Sequence, residues 1–184
     1  MHFVVASRTK ANDAIKKYGA THLISINDRG SRTFQSRLDR SRHLTVHFED
    51  TEKFDDFDAP TAGAIQQILD FAKHIPADAT VIVNCHAGMC RSTAVALGLA
   101  VQRYGVEALE EMAGKMVEQR PIACPNRLVA ALFDAKLETG GAILKIAERI
   151  SNKYMLDTHL IQWDEGYVLP PELEWLKPSD DGTP

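Results

Sequence analysis

Cysteine is scarce in this sequence: Cys85, Cys90 and Cys124 are the three in 184 residues. An odd number at irregular spacing argues against a disulfide framework, so an apolar core has to hold the fold. Seven histidines are scattered with no paired Cys/His spacing of the kind zinc takes, so no metal or other cofactor is implied. No apolar run approaches the ~20 residues of a membrane-spanning helix, and the opening Met1-His-Phe-Val-Val-Ala6 is too short for a secretory signal. No membrane partner is expected, and reduced thiols fit a cytoplasmic protein. Positive charge is not in excess either, since 21 Lys and Arg face 25 Asp and Glu for a net −4, which disfavours non-specific nucleic-acid binding. Internal repeats and low-complexity segments are also missing.

What is present is enough chain for one domain with a sizeable core. β-Branched and apolar runs at 2–6, 21–26, 43–48 and 81–83 read as strands. Helical spacing appears at 10–18, stopped by Gly19, and at 64–75. The start of the latter is expected near Asp58 or Ala59, ahead of Pro60. The nearly all-apolar run 94–101 predicts a buried helix ended by Gly105. Further amphipathic helices are predicted at 106–118, 126–138 and 142–154. Strands alternating with helices predict an α/β fold: a central, mostly parallel sheet of four to five strands flanked by helices. Residues 1–156 are read as one catalytic domain. Residues 157–184 carry a net −6, with Trp163, Tyr167 and Trp175 among prolines, and read as an irregular strap across the domain with a loose end. The oligomeric state is left open.

The stretch Val81-Ile-Val-Asn-Cys-His-Ala-Gly-Met-Cys-Arg-Ser-Thr93 concentrates the chemistry. A strand delivers Cys85 to a loop that contains Gly88 and leads into a helix at Arg91. In an open α/β sheet, ligands bind at the carboxyl ends of the strands, where Cys85 falls. Backbone N–H groups of His86, Ala87, Gly88, Met89, Cys90 and Arg91 can surround a tetrahedral oxyanion. The helix N-terminus adds partial positive charge, and the planar fork of Arg91 can grip two oxygens. The same groups favour the thiolate of Cys85. Ser92 can donate to that sulfur when it departs as a thiolate, or cap the helix. Thr93 reads as structural, His86 as a loop spectator, and Cys124 as inert. Cys90 reads as a small filler, or as a thiol that traps an oxidised Cys85.

Cys85-His-Ala-Gly-Met-Cys-Arg91-Ser92 resembles the Cys-x5-Arg-Ser/Thr signature of the protein tyrosine phosphatase superfamily, and its dual-specificity phosphatase branch above all. The Arg120 to Asn126 linker resembles that branch's Arg…Pro-Asn connection, and the resemblance extends over residues 1–138. The family commonly has His before the cysteine; Asn84 stands there instead. The resemblance implies a phosphatase working through a cysteinyl-phosphate, with an Asp at the end of the preceding strand as general acid. Asp50, Asp55, Asp56 and Asp58 all lie in range. Asp50 is preferred because it follows the 43–48 strand and because Asp50-Thr-Glu-Lys-Phe54 resembles the Asp-Thr-x-x-Phe run of some members. Asp55 and Asp56 read as solvated charges and Asp58 as a helix cap. The expected substrates are phosphotyrosine and possibly phosphoserine/threonine proteins. Behind them stand a phosphoinositide, an RNA 5′-phosphate, a silent phosphate-binding module, or a thiol redox or sulfur-transfer enzyme. Arg29, Arg32, Arg37, Arg40 and Arg42 crowd one loop segment and are expected to form either a positive rim or a locally paired surface.

Overall fold

The computed structural model of the chain describes residues 1–32 and 34–160. Four strands, β1 (His2–Ser7), β2 (His22–Asn27), β3 (His43–His47) and β4 (Thr80–Cys85), form one sheet in the order β1-β4-β2-β3. All three pairings are parallel. The expected sheet of four to five mostly parallel strands is present with four, all parallel. Parallel neighbours need long crossovers. These are supplied by α1 (Ala11–Tyr18) between β1 and β2, by residues 28–42 between β2 and β3, and by α2 (Ala62–Lys73) between β3 and β4.

β4 runs through the middle of the sheet and is buried on both faces, as its apolar run predicts. Side chains alternate faces along it. Val81, Val83 and Cys85 join the larger core, whereas Ile82 packs with Leu23, Ala14 and Ile15 beneath α1. This alternation puts Cys85 on the face covered by α3 (Arg91–Tyr104). That helix is buried from Arg91 to Val101 because neighbours close around it. α4 (Leu109–Gln119), α5 (Arg127–Leu137) and α6 (Ala142–Leu160) follow it in the chain. At Gly98 a Cβ would lie 2.3 Å from the ring of Phe133, so the missing side chain lets α5 press against α3. Burying a phenyl ring such as Phe133 contributes about 1.5–3 kcal/mol.

Two boundaries differ from expectation. Asp58 does not cap α2; Thr61 does, its hydroxyl accepting from the Ala64 N–H at 3.2 Å. Pro60 biases the residue before it toward extended backbone, which delays the helix start. Asp58 is meanwhile held by Arg29 at 2.9 Å. α6 continues to Leu160 rather than ending at 154. The expected strap falls, from residue 161 onward, outside the described residues.

Candidate functional site

Residues 86–90 form a loop whose carbonyls all face outward into protein. His86 O accepts from the Arg8 N–H at 3.0 Å, and Met89 O from the Cys124 N–H at 3.1 Å. Cys90 O accepts from the Ala94 and Asn126 N–H groups at 3.1 and 3.2 Å. Arg120 bonds the two carbonyls between them, reaching Ala87 O through Nη2 at 2.7 Å and Gly88 O through Nε. Thr93 donates its hydroxyl to Met89 O and Cys90 O, a structural role as expected. A trans peptide with its carbonyl fixed outward turns its N–H the opposite way. The loop therefore presents amides to its centre, and Gly88 N–H reaches the Cys85 sulfur at 3.2 Å. Gly88 has φ +70°, and a Cβ there would come within 2.6 Å of the Ala6 carbonyl, so this turn requires glycine.

Cys85 lies at the floor of the loop, 2% exposed. Ser92 Oγ is 3.2 Å from its sulfur. The expected capping role of Ser92 is not seen: α3 begins at Arg91, and Cys90 holds the cap position without a side-chain bond. Ser92 is inside the first turn, fully buried, with its hydroxyl beside the sulfur.

Arg91 is 3% exposed and reaches across the carboxyl ends of three strands. Its Nη1 donates to Asp28 Oδ1 at 2.5 Å and to Phe48 O at 2.8 Å. Asp28 follows β2, and Phe48 follows β3. Asp50 Oδ2 lies 3.7 Å from Nε, beyond hydrogen-bond reach. Nε is buried and has no hydrogen-bond partner among the described residues. A buried guanidinium N–H with nothing to donate to is costly, and an oxyanion in the loop would satisfy it.

Of the four candidate acids, Asp50 is the one within 4 Å of the Arg91 guanidinium. Asn126 orients it, donating from Nδ2 to Asp50 Oδ1 at 2.9 Å and to Thr51 O at 3.0 Å. Asn126 Oδ1 meanwhile caps α5 by accepting from the Val129 N–H at 2.9 Å. Asp55 is exposed, Asp56 accepts from the Thr51 hydroxyl, and Asp58 pairs with Arg29. His86 and Ala87 are exposed at the mouth. The five arginines of the 29–42 segment are all exposed.

Asn84 occupies the other face of the sheet from Cys85. Its Oδ1 accepts from Ser25 at 2.8 Å, and Ser25 meets His43 Nε2 at 2.9 Å, a polar row across β4, β2 and β3. Burial lowers the His43 pKa, so this row favours a neutral imidazole. The neighbouring Cys124 thiol and burial together raise the Cys90 pKa. Asp28, Arg120 and Asn126 touch Arg91, the loop carbonyls and Asp50, contacts to which sequence reasoning gave no role. One signal was available for Asp28: like Asp50 and Cys85, it lies at the carboxyl end of a parallel strand.

No protein-family model matches the sequence, and no curated protein matches it. Solved structures do. The Yvh1 phosphatase domain from Chaetomium thermophilum is 22% identical over 75% of this chain and 91% of its own, with a TM-score of 0.53. The PTP-2 phosphatase of Cydia pomonella is 19% identical over 74% and 86%, with a TM-score of 0.57. A human tyrosine phosphatase-like serine/threonine/tyrosine-interacting protein is 16% identical over 75% and 92%, with a TM-score of 0.58. With a parallel α/β sheet, a cysteine at the end of its central strand and these structural relatives, the chain has the fold of the dual-specificity and tyrosine phosphatases.

Proposed function

We propose that this chain is a cysteine-dependent phosphatase that hydrolyses phosphomonoesters through a cysteinyl-phosphate, with phosphotyrosine proteins as the leading substrates and phosphoserine/threonine proteins next. The observation that carries the reading is the buried Arg91 with its unpartnered Nε, at the end of a loop that starts at Cys85 and has its carbonyls bonded outward. The phosphoryl group binds the loop amides and Arg91. The Cys85 thiolate attacks phosphorus, and the ester P–O bond breaks with its electron pair on the leaving oxygen. Asp50 gives that oxygen its proton. Water then attacks the cysteinyl-phosphate, Asp50 takes the water's proton, and the S–P bond breaks to release inorganic phosphate. Ser92 donates to the departing thiolate. Each proton that leaves Asp50 in the first step is recovered in the second.

Hydrolysis of p-nitrophenyl phosphate by the wild-type protein and by Cys85→Ser tests this. Wild type releases p-nitrophenol and is inhibited competitively by vanadate; Cys85→Ser releases none yet still binds phosphate. Release that survives Cys85→Ser, or a wild type that releases none, overturns the reading. A second reading, a phosphate-binding module without turnover, is prompted by the structural likeness to the human tyrosine phosphatase-like serine/threonine/tyrosine-interacting protein. The same assay separates the two, since a module binds phosphate in both forms and hydrolyses nothing.

A further inference from the structure

We propose that Phe54 and Phe57 form a docking ledge for a bulky apolar side chain of a phosphorylated polypeptide, one to four residues from the phosphorylated position. The inference rests on the phosphatase reading and names what surrounds its phosphate. Phe54 is 84% exposed and Phe57 90%, the two most exposed large apolar residues among those described. Both belong to the loop that begins at Asp50. An exposed phenyl ring on a loose loop would mean little, but this loop is fixed at its base. Glu49 N–H donates to Asp58 O at 2.8 Å and closes its ends. Glu52 takes the Arg127 backbone N–H at 2.9 Å and side-chain Nε at 2.7 Å, and Asn126 holds Thr51 O at 3.0 Å. Both phenylalanines are therefore carried on the backbone that positions Asp50.

The reach fits a peptide. An extended chain advances about 3.3–3.6 Å per residue, so Phe54, four residues from Asp50, lies within about 14 Å of it along the backbone. A substrate covers the same span in about four residues. Arg29 supports the ledge from one side, its guanidinium 5.2 Å from the centre of the Phe57 ring while its Nη1 pairs with Asp58 at 2.9 Å.

Charge selects the occupant. Asp55, Asp56 and Asp58 against Lys53 and Arg29 surround the rings, and Arg29 is neutralised by Asp58, so the ledge carries more acid than base. Surfaces that insert into anionic bilayers carry Lys and Arg beside their aromatics, and carboxylates there are repelled by the headgroups. A polypeptide supplies an apolar side chain without a sheet of negative charge.

The test uses phosphotyrosine peptides that differ only by Leu or Ser at each position within four of the phosphotyrosine, with p-nitrophenyl phosphate as the ledge-independent substrate. Wild type and Phe54→Ser/Phe57→Ser are assayed for turnover. Binding of the labelled peptides is measured in parallel with both ledge forms in a Cys85→Ser background. Wild type is expected to prefer Leu at one position by about tenfold in kcat/KM, through KM. The double variant loses that preference in turnover and in binding and keeps its p-nitrophenyl phosphate activity. A preference that survives in the double variant, or none in wild type, overturns the ledge. Phosphoinositide in anionic vesicles is assayed alongside, and a loss confined to it would make the ledge a bilayer contact instead. A variant faster on every substrate would mean that residues 161–184 of this chain cover the ledge. Should wild type fail on p-nitrophenyl phosphate, the phosphatase reading falls, and the binding arm alone decides the ledge.

Discussion

Two loops meet at the Arg91 guanidinium, and they are built in opposite ways. The loop after β4 faces inward: each carbonyl from His86 to Cys90 is bonded to surrounding protein, and the Gly88 amide reaches the Cys85 sulfur. The loop after β3 faces outward: Asp50, Thr51 and Glu52 are tied to α5, but Phe54 and Phe57 stand in solvent. A loop with every carbonyl committed holds one geometry and leaves its amides for an oxyanion of fixed shape. A loop fixed only at its base holds one carboxylate in place and leaves its apex free to meet whatever the phosphate is attached to. In the proposed function, the first loop would decide that a phosphomonoester is bound, and the second would decide whose.

Breaking the shared centre should cost most. Asp50→Ala is expected to lower kcat by about 10²–10⁴ for an alkyl or phenyl ester, whose leaving oxygen needs a proton. It should lower kcat far less for p-nitrophenol, a good leaving group. Parallel kinetics on the two substrates check this, and equal losses would remove Asp50 from the role of acid. Asp58→Ala serves as the control, since Asp58 is held by Arg29 rather than beside Arg91.

Loosening the inward loop from outside should cost less. Arg120→Ala frees the Ala87 and Gly88 carbonyls to turn and carry their peptides' N–H groups off the pocket. A loss of about 10- to 100-fold in kcat/KM is expected, the size of one or two hydrogen bonds to a charged group. Phosphate affinity should fall in step, because the amides that bind ground-state phosphate are the ones disturbed. Titration with orthophosphate checks that point, and unchanged affinity would mean that the loop holds without its clamp.

The smallest effect belongs to the base of the outward loop. Burial works against the Glu52 carboxylate, but the side-chain and backbone hydrogen bonds of Arg127 outweigh it and hold its pKa below the ordinary glutamate range. A carboxylate whose pKa is lowered by folding contributes stability that is present above the unfolded value and lost as pH falls through the folded one. Glu52→Gln should therefore destabilise the protein near neutrality and by less in acid well below the ordinary glutamate range, once wild-type Glu52 is itself protonated. Because Glu52 is 39% exposed and Arg127 46%, solvent screens the pair, and the loss should stay under about 1 kcal/mol. Thermal melts at the two pH values measure it.

The strand-loop-helix from Val81 to Tyr104 was legible because its signals are contiguous. A β-branched run, a cysteine, a glycine and an arginine opening an apolar helix need no distant partner to be read. The preference for Asp50 over its neighbours rested on its place after a strand. Asp28, Arg120 and Asn126 were not legible as a group, since they lie 63 and 32 residues from Arg91 and Gly88 and 76 residues from Asp50. Pattern within a window of sequence carries no information about such pairs. The structure puts Ser92 beside the sulfur and inside α3 rather than at its cap, a difference the sequence could not show because one residue of shift at a helix start leaves the periodicity unchanged. The Cys90–Cys124 contact depends on the α4–α5 linker folding back along the loop, with Cys124 N–H on Met89 O at 3.1 Å.

The sequence by itself determined that a parallel α/β sheet would form and that Cys85 and Arg91 would flank one turn, because periodicity and a short motif are local and every residue in them acts on its neighbours. Only the tertiary structure decided which carboxylates face the guanidinium, which arginine holds the loop's carbonyls and which phenyl rings stay in water. Those outcomes depend on strands and helices distant in the chain arriving at the same edge of the sheet, and burial assigns partners only after they meet.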